Sequence, residues 1–181
     1  LRLLQHRFKA EIKGSAIALV RDYGTLPNVE CHAKQINQVF MNILSNALDV
    51  LEQDDCLEPV IKITTEYKDQ CAYIRIADNG PGIPQKMQAH LFDPFFTTKE
   101  VGQGKGLGLS LSYQIVTSHH NGRLECHSKP TQGCEFVIAL PAEDIDNSPQ
   151  QIEKRSIDRE NISSVNNRGL PHKASSLSPL N

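Results

Sequence analysis

The chain has 181 residues, 39% hydrophobic and 22% charged, enough for one compact core plus a solvated segment and too few for two full domains. Its formal net charge of -2 supplies no basic excess, which argues against a nucleic-acid partner held by counterion release. No apolar run approaches the roughly twenty residues of a bilayer crossing, the start lacks the shape of a signal peptide, and five cysteines form no C-x-x-C pair, so reduced thiols and a cytoplasmic location are expected.

Residues 1–14 place leucines and Phe8 at helical spacing and read as the end of a helix or linker whose partner is missing. The chain opens on Leu1 rather than Met, so a preceding segment is expected. Ile17 to Tyr23 reads as a strand closed by Gly24 and Pro27, and Val29 to His32 as a second short strand. A helix is predicted from Ala33 to Gln53, with Ile36, Val39, Phe40, Ile43, Leu44, Ala47, Leu48 and Leu51 forming one apolar stripe. Val60 to Tyr67 and Cys71 to Ala77 form an antiparallel hairpin around Lys68-Asp69-Gln70. A short helix near Gln85 to Leu91, a helix from Leu107 to His119, and strands Arg123 to Ser128 and Cys134 to Leu140 complete the domain, 15–142. This order predicts an α+β two-layer sandwich, a mixed sheet with its helices on one face. The segment 143–181, rich in Ser, Asn and Pro, reads as a disordered tail, with a short partner-binding helix around Ile152 to Ile162 as the alternative.

Four short segments within residues 42–109 carry chemistry. Asn42 and Asn46 lie one turn apart at the edge of the apolar stripe, and an Asn amide oxygen suits magnesium, a hard cation. Asp78-Asn79-Gly80-Pro81-Gly82-Ile83-Pro84 follows an apolar strand, where a carboxylate can be fixed at the base of a pocket. Phe92-Asp93-Pro94-Phe95-Phe96-Thr97-Thr98-Lys99 precedes Gly104-Lys105-Gly106-Leu107-Gly108-Leu109, a glycine run that opens into a helix and offers backbone N–H groups to phosphate. Taken singly, each has an ordinary reading: helix-surface asparagines, an Asp-Asn-Gly turn, a glycine-rich loop, exposed lysines.

In combination and order they resemble the N, G1, F and G2 boxes of the ATP-binding catalytic domain of sensor histidine kinases, in the Bergerat or GHKL group. The resemblance covers about 15–142 and implies the Bergerat fold with a mobile lid over the nucleotide. It implies that Asn46 coordinates Mg2+ with Asn42 beside it, and that Asp78 binds the adenine amino group, with Gly80, Gly82 and Ile83 shaping that end. It places Phe95, Thr97, Thr98, Lys99, Gly104, Lys105, Gly106, Leu107 and Gly108 around the phosphates and in the lid, with Phe95 and Phe96 as anchors of the lid. Asn42, Asn46 and Lys99 become the candidate catalytic residues, and Lys99 and Lys105 the candidates for neutralising the triphosphate.

Gly133 resembles the family's last glycine box, but Cys134 follows where the family often carries Thr. Asp49 stands where many members place Lys or Arg, and is expected to face solvent or a basic neighbour. Gyrase-like and MutL-like relatives carry Glu where this chain has Asn42, and a carboxamide takes no proton at neutral pH, so phosphoryl transfer is favoured over hydrolysis. No His-Glu or His-Asp motif occurs, so the acceptor histidine is expected on a dimerisation domain, upstream or in trans. The resemblance further implies a response regulator receiver domain as partner and a homodimer in the full-length protein. Two alternatives share the pocket: a nucleotide-binding module whose catalysis has lapsed, and a serine kinase of the anti-sigma-factor type.

Overall fold

The computed structural model describes residues 11–12, 15–53, 56, 58–99 and 104–143. Of the helix end expected over residues 1–14, residues 1–10, 13 and 14 lie outside them, as do the tail from 144 onward and the alternative helix at Ile152 to Ile162. Glu11–Ile12 (β1) pairs antiparallel with Ser15–Ala16 (β2), so residues 11 and 12 are extended rather than the end of a helix.

Ala18–Tyr23 (β3) leads to the 21-residue helix Ala33–Gln53 (α1), followed by Val60–Lys68 (β4) and Cys71–Asp78 (β5). Because β3 pairs parallel with β4, a crossover must connect them, and α1 supplies it. The β4–β5 hairpin closes through Asp69 and Gln70, both at positive φ, as a two-residue turn between twisted strands requires. The four-residue helix Gln85–Gln88 (α2), the helix Gly108–Gln114 (α3), a π-helical turn Ile115–His119, and strands Arg123–Ser128 (β6) and Cys134–Pro141 (β7) follow. The main sheet has the order β3-β4-β5-β7-β6 and is antiparallel apart from β3–β4.

The apolar stripe of α1 forms the core as expected, with Val39, Ile43, Leu48 and Leu51 wholly buried. It meets Ile61, Ile63, Ile74, Ile76, Phe136 and Ile138 from the inner face of the sheet. Register places these in rows, Ile63 opposite Ile76 opposite Phe136, and Ile74 opposite Ile138. Each such side chain stabilises the fold by about 1.5–3 kcal/mol through removal from water. The opposite face carries charge: Arg75 pairs with Glu66 at 2.9 Å and Glu135 at 3.6 Å.

Three local expectations are corrected. Val29 to His32 forms no strand, because the His32 N–H goes to Nε2 of His120 and the His32 carbonyl accepts from Gln35 and Ile36, starting α1. The short helix ends at Gln88 and passes into tight turns, with His90 N–H donating to the Met87 carbonyl. The helix predicted to His119 widens into the π turn after Gln114, where Ile115, Val116 and Thr117 are consecutive β-branched residues and the Thr117 hydroxyl bonds back to the Tyr113 carbonyl.

Candidate functional site

A cavity of about 670 Å³ lies between α1, the end of β5, the turn after it and the segments 96–99 and 104–109. From α1 it receives Asn42, Ser45 and Asn46, which share a helix face at spacings of three and four. The Asn42 amide nitrogen donates to the Gly108 carbonyl and to Oγ of Ser112, each at 3.0 Å. The buried Ser112 hydroxyl donates in turn to the Gly108 carbonyl at 2.8 Å, so this network fixes α1 against the start of α3. With both amide hydrogens engaged, Asn42 has its oxygen left for a ligand. Asn46 lines the cavity, and its side chain makes no hydrogen bond to any described residue.

Asp78 ends β5 and enters the cavity floor. Burial pushes its carboxyl pKa up, opposed by the backbone N–H groups of Gly80, at 3.0 Å, and Cys134. Both donors depend on close backbone approach. Gly133 has φ +79°, and a Cβ there would sit 2.0 Å from the Asp78 carbonyl oxygen. Asn79 points away and pins β4, accepting from Val60 N–H and donating to the Glu58 carbonyl, each at 2.8 Å.

The glycine run and the preceding aromatic segment are joined backbone to backbone. Phe95 N–H donates to the Gly106 carbonyl at 2.9 Å, and Gly106, at φ +64°, leaves no room for a side chain against the Phe95 carbonyl. Thr97, Thr98, Lys99, Gly104, Lys105, Gly106, Leu107 and Gly108 all line the cavity, as do Gly82 and Ile83. Lys99 Nζ is ion-paired with Asp49, so Asp49 does have a basic neighbour.

Three expected residues stand elsewhere. The Phe95 side chain is 74% exposed and outside the cavity lining, its tie to the glycine run being through its backbone; Phe96 lines the cavity, and Phe92 packs on Tyr113 with ring centroids 4.9 Å apart. Gly80 and Gly133 stand behind Asp78 rather than in the lining. The sequence reading missed Ser45, Ser112 and the apolar wall of Met87, Leu91 and Phe136, which the Cys134 it did single out completes. Ser45 was within reach of the helical spacing that found Asn42 and Asn46, whereas the wall is assembled from separate elements.

The family model described as "Histidine kinase-, DNA gyrase B-, and HSP90-like ATPase" matches residues 31–144, more than half of the chain. The chain belongs to this family. It is 36% identical over 135 residues to the sensory histidine kinase/phosphatase NtrB of Vibrio alginolyticus, across 70% of this chain and 37% of that protein. The solved catalytic domain of histidine kinase ThkA matches with TM-score 0.61 and 26% identity, covering 77% of this chain and 83% of that one. A structure of ThkA in complex with the response regulator protein TrrA matches with TM-score 0.62 at 24% identity, over 78% of this chain and 38% of that one, a likeness of fold. The described residues therefore form an ATP-binding catalytic domain of the histidine kinase type, with the α+β mixed sheet expected. The chain spans little more than a third of the length of its NtrB relative.

Proposed function

We propose that this domain binds Mg-ATP in the cavity and transfers the γ-phosphoryl group to a histidine on a dimerisation domain, from which it passes to a response regulator receiver domain. The observation that carries the reading is Asn42, held one turn from Asn46 with both amide hydrogens spent on Gly108 and Ser112. A fixed carboxamide cannot take a proton from water, so the site favours positioning and charge stabilisation over hydrolysis. Asp78 accepts the adenine amine, with Ile83, Met87 and Phe136 as apolar walls for the base. Lys99 and Lys105 stand beside the space for the phosphates.

The donor set fits magnesium: the Asn46 carboxamide, unengaged among the described residues, offers the oxygen donor that a hard cation prefers. When bound, the ion supplies charge neutralisation on the β- and γ-phosphates. Asn46 holds the ion, Asn42 supports that position, and the backbone of the glycine run orients the triphosphate. Pairing of Asp49 with Lys99 removes the main reason to read Asp49 as a defect that repels phosphate. A dimeric full-length kinase on the cytoplasmic side completes the proposal; no described helix is long and apolar enough to cross a membrane.

The test supplies a histidine-containing dimerisation domain in trans with γ-labelled ATP and magnesium. The expected product is acid-labile, base-stable label on the acceptor, lost with Asp78→Ala and with Asn46→Ala. Release of free phosphate without acceptor labelling contradicts the reading.

A further inference from the structure

The sulfur atoms of Cys126 and Cys134 lie 3.4 Å apart on neighbouring strands. In the β6–β7 register Cys134 faces Ser128 and Cys126 faces Phe136, which makes the two cysteines diagonal neighbours on one face of the sheet. Cys134 is buried and lines the cavity, while Cys126 is partly exposed and outside the lining. The Cys134 N–H is one of the two backbone donors holding the Asp78 carboxylate. The same corner is tied to the turn after β5, since Ser128 Oγ donates to the Gly133 carbonyl at 2.7 Å and accepts from Ile83 N–H at 2.8 Å.

We propose that Cys126 and Cys134 form an oxidisable dithiol, converted by hydroperoxides to a disulfide that weakens nucleotide binding in the adjoining cavity. The second half rests on the nucleotide-site reading above. The two thiols are differentiated for this chemistry. The hydrogen bond from Cys134 lowers the Cys126 pKa against the effect of burial, while the same bond, with burial, pushes the Cys134 pKa up. Cys126 is therefore the attacking thiolate and Cys134 the resolving thiol.

The Cys126 thiolate attacks one oxygen of hydrogen peroxide, the O–O bond breaks, and hydroxide leaves to give a sulfenic acid on Cys126. The Cys134 sulfur then displaces the hydroxyl from Cys126. The S–S bond forms, and water leaves carrying the Cys134 proton. In sum two thiols lose two electrons and two protons, and one peroxide becomes two waters. The sulfurs must close by about 1.3 Å from 3.4 Å to reach a disulfide bond length of about 2.05 Å. That movement draws Cys134 toward β6, away from the carboxylate that its N–H holds and out of the wall it forms. Loss of one hydrogen bond to a charged group predicts about tenfold weaker nucleotide binding.

The experiment uses the full chain with Cys31, Cys56 and Cys71 replaced by serine, treated with hydrogen peroxide. It reads non-reducing peptide mapping and calorimetric titration with Mg-ATP before oxidation, after it, and after dithiothreitol. The expected result is a 126–134 cross-link, about tenfold weaker binding, and full recovery on reduction. Cys126→Ser, and independently Cys126→Ala, should bind nucleotide as the reduced parent does and ignore peroxide. Absence of the cross-link overturns the dithiol site, and a cross-link with unchanged affinity overturns the regulation. If the cross-link forms but the reduced chain binds no nucleotide, the cavity reading fails, and with it the coupling, while the dithiol chemistry stands.

Discussion

The Lys99 ammonium, part of the cavity lining, is paired with the Asp49 carboxylate on α1, one helical turn beyond Asn46. Both side chains are about three-quarters buried, so screening by water is reduced and the pair ties the segment after Phe96 to the helix that carries Asn42 and Asn46. Asp49→Asn should release that segment. Limited trypsin digestion should then cut after Lys99 and Lys105 faster than in the parent, with Mg-ATP restoring protection; equal cleavage rates would deny the pair any part in holding the lid.

Asp78 links binding to pH. Its carboxyl pKa is raised by burial, so the folded chain holds this proton more tightly than the unfolded chain. Asp78 therefore favours folding below the ordinary carboxylate range, and that contribution is lost as pH rises through its raised pKa. Asp78→Asn should remove this dependence, so the melting temperature of the variant gains on the parent from acid to neutral pH. Mg-ATP affinity should fall about 10- to 100-fold in the variant at neutral pH, and in the parent as pH drops through the same titration.

Ser112 is wholly buried and stands between Asn42 and the Gly108 carbonyl. Ser112→Ala leaves the second Asn42 amide hydrogen without its partner. The expected loss is about 1–3 kcal/mol, seen as several degrees in thermal unfolding, with weaker Mg-ATP binding because Asn42 is then held by the Gly108 carbonyl alone.

Gly133→Ala tests the backbone contact beneath Asp78. With φ +79° and only 2.0 Å from the would-be Cβ to the Asp78 carbonyl oxygen, the substitution should cost more than about 3 kcal/mol. Chemical denaturation should show this loss; Gly122→Ala, close to the Ala139 carbonyl but remote from Asp78, separates damage to the fold from damage to the site.

Periodicity made the α1 core legible, because a stripe at helical spacing over 21 residues has few other ways to be buried. The β4–β5 hairpin was equally legible from its apolar runs and short turn. Val29 to His32 misled, since four residues of mixed polarity say nothing of what their N–H groups will meet, and His120, which takes the His32 N–H, is 88 residues away. The motif residues Asn42, Asn46 and Asp78 line one cavity; helical spacing related only the first two, and the resemblance of the combined motifs added the third. Phe95 did not, because its direction is set by the positive φ that its bond to Gly106 imposes. The Asn42–Ser112 bond and the Cys126–Cys134 approach are products of tertiary packing and strand register, which composition and spacing do not encode.

The most direct measurement is calorimetric titration of Mg-ATP into the reduced chain and into Asp78→Ala, alongside their unfolding curves. The account predicts one site in the parent and a loss of about 10- to 100-fold or more in a variant that remains folded. No binding by the folded parent, or equal binding by the two proteins, would contradict it.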